Sequence, residues 1–342
     1  MAHNKALNAE FAAFAAGLDT AAVKMIASGE AIMKYPGTVL LAQMGLIPEP
    51  APPSSSSPDP SPAAALVQKT QFEPFSLLDN ACGPGLIAGV LQEELPKDVL
   101  AKSRVLCADV NGNLVDILKQ RASIEGWVGV ETAVLDAQNP GLPENSFDYS
   151  TVNFAMHIIP DPDAVLTATK SLLKPNGVIG ITTMHSTTKG WTDDLLAALS
   201  SLSSSSSSSA PPILSFTPEP PLPAKIPMTV NNRPEWAEAD GVRDQLEAKH
   251  GFEDVRVRLL PHKSACLSGA DAVERFGMMV RMVTGTYWSD STRSRVEAEL
   301  KEKGEEGGLL GYVERFLDQR HGGQAWELEW TMVVATGRKP GP

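Results

Sequence analysis

The chain has 342 residues, which is enough for one large domain or two small ones. It carries 29 lysines and arginines against 41 aspartates and glutamates, and its formal net charge of −12 argues against nucleic acid or an anionic membrane as a partner. The three cysteines, Cys82, Cys107 and Cys266, have no paired spacing. They match neither a disulfide framework nor a zinc site, so a reducing, cytoplasmic location is expected.

Two stretches rich in proline and serine divide the sequence. Before the first, residues 1–47 form a predicted helical cap, because apolar side chains recur at helical spacing from residue 6 to about residue 33. The cap is one amphipathic helix or two in tandem. Residues 48–70 are a predicted linker or loop, since prolines lack an amide donor and serines bury little surface. Residues 71–342 are a predicted single domain with a Ser/Pro-rich insertion at about 200–223.

Between the two Pro/Ser-rich stretches, short apolar strands alternate with helices. The predicted strands are residues 74–80, 104–110, 130–136, 146–154 and 177–184, and helices begin near Gly85, Asn113, Asp163 and Thr192. This alternation is typical of a doubly wound, mostly parallel sheet with crossover helices. After the insertion the pattern predicts a helix (234–250), a strand (254–260), two helices (271–283 and 311–319) and a final strand (325–339). The final strand alternates apolar and polar residues, and strand 254–260 is its candidate antiparallel partner.

The most informative stretch is FSLLDNACGPG, at residues 75–85. An apolar strand ends at Asp79, and Ala81, Gly83 and Gly85 then form a turn that leads into a helix. Small residues in such a turn let a ligand lie against bare backbone, and the start of the helix offers unpaired amides to an anionic group. The stretch therefore predicts a nucleotide-like ligand at the switch point of the sheet.

Acidic residues also end the next two predicted strands. Asp109 lies at the end of the second strand, where a carboxylate can accept hydrogen bonds from both hydroxyls of a ribose. Asp136 ends the third strand, where it could accept a hydrogen bond from the exocyclic amine of an adenine. The alternative for Asp136 is a turn cap, a common role for aspartate in such turns. Its place at a third strand end favours the ligand role.

In this order, the motifs resemble those of class I S-adenosylmethionine-dependent methyltransferases. The resemblance covers about residues 75–184, through LLDNACGPG, VLCADV, LDAQNPGLPENSFDYSTVNFAMH and LLKPNGVIGITTM. The chain looks most like fungal small-molecule methyltransferases of secondary metabolism. The resemblance implies a Rossmann-like α/β sheet, mostly parallel with an antiparallel last strand, and S-adenosyl-L-methionine as the cofactor.

The resemblance also assigns residues to parts of the cofactor. It implies that Asp79 and the loop from Ala81 through Gly83 to Gly85 contact the methionine end, and that Asp109 binds the ribose. Asp136 and Ala137 are implied to contact the adenine, and Asn153 and Phe154 the inner flank of the cofactor. Asn80 and Val110 complete the predicted contacts. Ala81 stands where the family usually has its first glycine. An alanine there is tolerated if its backbone keeps a negative φ.

A second class of enzyme uses a similar loop. Residues 83–88 match the G-x-G-x-x-A form of the dinucleotide fingerprint, and Asp109 lies near the expected ribose-binding acid, so the alternative enzyme is an NAD(P)-dependent oxidoreductase. Two features oppose it: Asp79 would repel a pyrophosphate, and Pro84 removes an amide between the glycines. A non-catalytic S-adenosylmethionine-binding regulatory protein is a further alternative, since a fold does not fix an activity.

Methyl transfer requires that the acceptor and the methyl group be aligned in a dry pocket, and a general base helps if the acceptor is a hydroxyl or an amine. His157 and His185, just past the fourth and fifth predicted strands, are the candidate bases; alignment without a base is the alternative. The predicted activity is transfer to O, N or S of a small, hydrophobic metabolite. No metal is predicted. The predicted partner is the small-molecule acceptor, and neither nucleic acid nor a membrane is expected to bind. The chain is expected to be a monomer or homodimer.

Overall fold

Five strands are interspersed with helices along the chain from residue 76 to residue 201. The computed structural model describes residues 18–50, 72–203 and 212–341, and for residues 18–29 and 31 it describes the backbone alone. The helices are α1 (Leu18–Gln43), α2 (Leu86–Glu94), α3 (Lys97–Leu100), α4 (Gly112–Ile124), α5 (Pro162–Leu172), α6 (Thr192–Ser201), α7 (Ala239–Asp244), α8 (Gly269–Tyr287), α9 (Asp290–Glu302) and α10 (Gly308–Arg320), with a 3-10 helix at Pro234–Ala237 and a π-helix at Gln245–Lys249. The strands are β1 (Ser76–Asn80), β2 (Arg104–Asp109), β3 (Val130–Val134), β4 (Phe147–Asn153), β5 (Leu173–Met184), β6 (Glu253–Cys266) and β7 (Trp326–Arg338).

Within the described residues, seven strands form one sheet in the order β3-β2-β1-β4-β5-β7-β6. Strands β1 to β5 pair in parallel, and β7 pairs antiparallel with β5. This confirms the predicted Rossmann-like sheet, and β6 lies beside β7 as expected for the partner of the last strand. Because the chain order reverses between β1 and β4, the carboxyl ends of these two strands frame the position where such sheets bind ligands.

Contacts along the chain define two compact units. Of the described residues, the sheet unit contains those within 26–186, 228–260 and 332–341, and the helical unit contains those within 18–25, 187–227 and 261–331. Residues 51–71 and 204–211, in which parts of the predicted linker and insertion fall, lie outside the described residues. The predicted domain limits therefore stay a prediction.

The core of the sheet unit lies on both faces of the sheet. On one face Leu77 and Cys107 pack with Leu41 of α1 and Ile87 of α2. On the other face Leu78 packs with a cluster that includes Val152, Val165, Leu166 and Trp236. Successive residues of a strand point to opposite faces, so the adjacent Leu77 and Leu78 serve different clusters.

Helix α1 runs ten residues beyond its predicted end near residue 33. Val39, Leu40 and Leu41 continue its apolar face and are almost fully buried. They extend the helix past Pro36, although a proline removes one hydrogen bond of the helix. Residues 6–17 of the predicted helix lie outside the described residues.

The helical unit contains a helix that the sequence did not indicate. Helix α9 buries only Val296 and Leu300, too few to give an apolar period. Part of the predicted Ser/Pro-rich insertion lies along α9: the amide of Ser215 donates to Glu299 at 2.6 Å, and Thr292 Oγ1 donates to the carbonyl of Glu219 at 3.0 Å. A segment without regular secondary structure is thus held by side chains of one helix.

Candidate cofactor and active site

Asp79 stands near the end of β1 and is fully buried. Its Oδ1 accepts a hydrogen bond from Thr151 Oγ1 at 2.8 Å, whereas its Oδ2 has no hydrogen-bond partner among the described residues. Burial raises the pKa of Asp79 to about 7, against the opposing effect of the Thr151 hydrogen bond. A buried carboxylate is costly unless a cation compensates it. The site therefore fits a cationic ligand.

The turn after β1 adopts left-handed backbone at three positions. Gly83 and Gly85 have φ of +54° and +86°, and Ala81 has φ of +58°. The condition of a negative φ at Ala81 is therefore not met, and this conformation costs an L-residue about 1–2 kcal/mol. Position 85 requires glycine for a second reason, because a Cβ there would lie only 2.9 Å from Leu118 Cγ. The turn holds strain of the kind that collects at ligand sites.

Asp109 joins the ends of β1 and β2. Its Oδ2 accepts a hydrogen bond from the amide of Gly83 at 2.9 Å, and its Oδ1 accepts one from the amide of Asn111 at 2.9 Å. Burial raises the pKa of Asp109, and these amide hydrogen bonds oppose that effect. Because an ionised carboxylate can accept about four hydrogen bonds, Asp109 retains capacity for ligand hydroxyls.

Asp136 lies two residues beyond β3, at the same edge of the sheet, and is exposed. Its Oδ1 accepts hydrogen bonds from the backbone amide of Gln138 at 2.9 Å and from its side chain at 3.0 Å. Within the chain, Asp136 thus caps a turn, the alternative considered for it. The neighbouring Ala137 is buried, whereas Val110, after β2, is 70% exposed.

Asn80 is fully buried, like Asp79, but points to the other face of the sheet. Residues alternate along β1, so Asn80 shares the face of Leu78 rather than that of Asp79. Its side-chain nitrogen and oxygen have no hydrogen-bond partner among the described residues. The structure therefore separates two residues that adjoin in the sequence.

Strand β4 ends with a polar row that continues onto β5. Asn153 Oδ1 accepts a hydrogen bond from Thr182 Oγ1 at 2.5 Å, and the amide of Phe154 donates to the Thr182 carbonyl at 3.0 Å. Asn153 shares the face of Thr151 and hence of Asp79. Phe154 has φ of +54°, an unusual conformation for a bulky residue. Helix α1 passes close by, since a Cβ on Gly37 would lie 4.0 Å from Asn153 Oδ1.

His157 lies in the loop after β4 and is buried. Its Nδ1 is 3.2 Å from Thr183 Oγ1 on β5. Burial lowers the pKa of His157 to about 4, so the ring is neutral near pH 7. A general base works best with a pKa near the working pH. A buried ring that is neutral near pH 7 is therefore suited to hydrogen bonding rather than to proton uptake.

His185 directly follows β5 and is also buried. Its Nε2 is 3.4 Å from Glu238 Oε2. The amide of Ser186 donates to the carbonyl of Ala237 at 2.8 Å, which holds the two segments together. His185 is therefore the one of the two histidines with a carboxylate beside its ring, whereas His157 has a threonine hydroxyl.

Sequence reasoning missed Thr151, Thr182, Thr183 and Glu238. The threonines lie within strand patterns, where a β-branched residue is the ordinary choice and carries no sign of a site. Glu238 is distant in sequence from His185 and lies beyond the Ser/Pro-rich insertion. A polar residue two places before a strand end, such as Thr151 before Asn153, is the one pattern that could have drawn attention.

Residues 78–181 match the family described as "Methyltransferase domain". The chain is similar to Methyltransferase tpcH of Aspergillus fumigatus, with 26% identity over 275 residues that cover 80% of this chain and 88% of that protein. It is also similar to the Acetylaranotin bis-thiomethyltransferase of Aspergillus terreus, with 25% identity over 278 residues that cover 81% of this chain and 86% of that protein.

Solved structures resemble the chain more distantly. The YcgJ protein from Bacillus subtilis aligns with a TM-score of 0.45 at 12% identity, covering 79% of this chain and 93% of that one. Phosphoethanolamine N-methyltransferase 2 of Haemonchus contortus aligns with a TM-score of 0.42 at 17% identity, covering 80% of this chain and 50% of that one.

The sheet order is that of the Rossmann-like methyltransferase fold, and the sequence matches are to methyltransferases. The chain is an S-adenosylmethionine-dependent methyltransferase, similar to fungal methyltransferases of Aspergillus. This confirms the resemblance seen in the motifs. The matches do not favour an NAD(P)-dependent oxidoreductase or a non-catalytic regulatory protein.

Proposed function

We propose that this enzyme methylates an O, N or S atom of a small, hydrophobic metabolite, and that the residues at the carboxyl edge of the sheet hold the cofactor. The buried Asp79, with Oδ2 unpartnered among the described residues, carries the cofactor part of this proposal. The acceptor part is supported by the relatives, one of which is named as a bis-thiomethyltransferase of acetylaranotin.

Bound S-adenosylmethionine supplies an electrophilic methyl group on a positively charged sulfur. Asp79 compensates cationic charge at the methionine end, and the bare backbone from Ala81 to Gly85 lets the ligand approach closely. Asp109 accepts hydrogen bonds from the ribose hydroxyls. Asp136, Ala137 and Val110 contact the adenine end of the cofactor, and Asn153 and Phe154 contact its inner flank. Asn80 supports the turn from the other face of the sheet.

The two histidines have different proposed roles. His157, neutral and bonded to Thr183, orients the acceptor by hydrogen bonding. His185, whose Nε2 lies 3.4 Å from Glu238 Oε2, takes up the proton that a hydroxyl or amine acceptor loses. A thiol acceptor ionises more easily than a hydroxyl and depends less on His185. Dependence on His185 would thus indicate the acceptor atom.

The proposed setting is the cytoplasm. The three cysteines are free thiols, as expected in a reducing compartment. No helix among the described residues has the length and apolar character that crossing a bilayer demands. It remains a prediction that the enzyme uses no metal and binds no nucleic acid. Its oligomeric state, a monomer or a homodimer, is also a prediction.

The test is to incubate the full chain with methyl-labelled S-adenosylmethionine and a panel of phenols, amines and thiols of similar apolar bulk, followed by mass spectrometry. We expect a gain of one methyl group on at least one class. A parallel thermal-shift assay compares S-adenosylhomocysteine with NAD. Stabilisation by NAD alone would contradict the proposal, and stabilisation by S-adenosylhomocysteine without any methylated product would favour the regulatory alternative.

A further inference from the structure

Asn231 ties the loop that follows β4 to a segment far away in sequence. Its Nδ2 donates hydrogen bonds to the carbonyl of Met156 at 2.9 Å and to the carbonyl of Ile159 at 2.7 Å. These two carbonyls flank His157. A single carboxamide therefore fixes the backbone on both sides of that histidine.

The backbone of His157 is held by the same segment. The His157 carbonyl accepts hydrogen bonds from the amide of Val230 at 2.8 Å and from the amide of Asn231 at 3.4 Å. Asn231 Oδ1 in turn accepts a hydrogen bond from the amide of Arg233 at 3.2 Å. An asparagine side chain has two N–H donors and one carbonyl oxygen, and all of these are engaged.

The segment that contains Asn231 is anchored independently of the loop. The guanidinium of Arg233 forms salt bridges with the carboxylates of Asp163 at 2.9 Å and Glu235 at 2.5 Å. Trp236 is fully buried in the core of the sheet unit. Because both anchors lie C-terminal to Asn231 and within the same unit, Asn231 acts on the His157 loop from a fixed support.

The ring of His157 gains a defined orientation from these contacts. Its backbone is fixed by Val230 and Asn231, and its Nδ1 is fixed by Thr183 Oγ1 at 3.2 Å. Alignment is the main requirement of methyl transfer, and a displacement of about 1 Å at a positioning group can cost roughly 100-fold in rate. Fixing the ring before the acceptor arrives removes that loss.

We propose that Asn231 is a positioning residue for methyl transfer, holding the loop of residues 155–159 so that His157 orients the acceptor. This inference rests on the proposed function. A merely structural role for Asn231 would change stability but would leave the kinetics of the folded enzyme unchanged.

The kinetic test compares Asn231→Ala with Asn232→Gly in the full chain. Asn232 is exposed and has φ of +58°, which glycine adopts freely, so its replacement is a matched control. We expect Asn231→Ala to lower kcat about tenfold or more and to raise the acceptor KM, with the Kd of S-adenosylhomocysteine changed less than about twofold. Asn232→Gly should match the wild type. Equal kinetics for all three proteins would overturn the inference.

A double-mutant cycle separates positioning from general damage. If Asn231 acts through His157, Asn231→Ala should have little further effect in a His157→Gln background. Independent, multiplying losses would contradict a role through His157. Asn231→Asp keeps the size of the side chain and removes both donors, so it serves if the alanine variant does not fold.

A measurement without turnover keeps this test apart from that of the proposed function. In nitrogen-15 spectra of labelled histidine, we expect His157 to titrate near pH 4 and to give a single sharp pair of ring-nitrogen signals in the wild type and in Asn232→Gly. In Asn231→Ala that signal should broaden or shift. An unchanged His157 signal would refute the positioning role even if no acceptor had been found, whereas a changed signal with no methylated product would count against the proposed function alone.

Discussion

The turn after β1 and the loop after β4 are strained in the same way but differ in how their polar groups are satisfied. Each contains a non-glycine residue with positive φ, Ala81 in the first and Phe154 in the second. Beside the first, the buried Asp79 Oδ2 has no partner among the described residues. In the second, the carbonyls of Met156, His157 and Ile159 all accept hydrogen bonds from Val230 or Asn231.

This difference indicates two ways to build a site. The turn after β1 leaves a buried charge to be compensated by the ligand, which links cofactor affinity to that charge. The loop after β4 is completed by the chain itself and is preorganised before any ligand binds. Mutations should therefore act on cofactor affinity at the first position and on acceptor alignment at the second.

The largest expected effect comes from Asp79→Asn. Removal of the buried charge should weaken the binding of S-adenosylhomocysteine by about 100-fold or more, roughly 3 kcal/mol. Because the folded pKa of Asp79 is about 7, above its unfolded value, the carboxylate destabilises the ligand-free fold as the pH rises through 7. The variant should therefore unfold at higher urea concentration at pH 8 while binding poorly. Reduced stability together with retained affinity would contradict this account.

Asp109→Ala should come next. Loss of the equivalent of one charge-assisted hydrogen bond, worth about 1.5–3 kcal/mol, predicts roughly a 10- to 150-fold loss of affinity for S-adenosylhomocysteine by calorimetry. Asp136→Ala is the matched control, because Asp136 is exposed and already bonded to Gln138. We expect less than about tenfold for the control. Equal losses in the two variants would mean that burial does not distinguish the two acids.

A smaller effect is expected from His157 on acid stability. Its folded pKa of about 4 lies below the unfolded value, so its contribution is present above about pH 6.5 and is lost as the pH falls toward 4. Asp79 changes stability in the opposite direction over part of this range. The test is therefore the difference in unfolding free energy between wild type and His157→Gln at pH 7.5 and at pH 5. We expect that difference to change by about 2 kcal/mol, and no change would refute a buried neutral ring.

The smallest effect concerns the backbone of the β1 turn. Ala81→Gly should raise the free energy of unfolding by up to about 1 kcal/mol, because glycine adopts positive φ without strain. Gly83→Ala is the inverse control: a Cβ there meets nothing within 4 Å, so any loss of stability reflects the backbone alone. Urea unfolding measures both variants. A loss of stability in Ala81→Gly would show that the methyl group packs usefully.

Much of the fold could be predicted because parallel strands and crossover helices leave strong periodic patterns. Strands β1 to β5 appear in the sequence as short apolar runs between turn residues, and the antiparallel β7 appears as a longer run that begins with alternating apolar and polar residues. Helix α9 was missed since it buries only two residues, and α1 continues past residue 33 because Val39, Leu40 and Leu41 extend its buried face. These errors arose where tertiary contacts outweighed local pattern.

The site was predictable only in part. Asp79, Asp109 and Asp136 stand at or just after the ends of adjacent strands, and sequence order alone places them at one edge of the sheet. The supporting groups lie far away in sequence, beyond the Ser/Pro-rich insertion. Glu238 contacts His185, and Asn231 holds the loop that contains His157. Contacts of that kind depend on the folded path of the chain and leave no spacing in the sequence.

The charge of Asp79 can be tested most directly by measuring ligand affinity against pH. S-adenosylhomocysteine carries an ammonium group, whereas adenosine has the same nucleoside without it. With an Asp79 pKa of about 7 in the free protein, calorimetry between pH 8 and pH 6 should show the Kd of S-adenosylhomocysteine weakening about tenfold while that of adenosine stays nearly constant. Parallel pH curves for the two ligands would contradict the claim that Asp79 binds the cationic end of the cofactor.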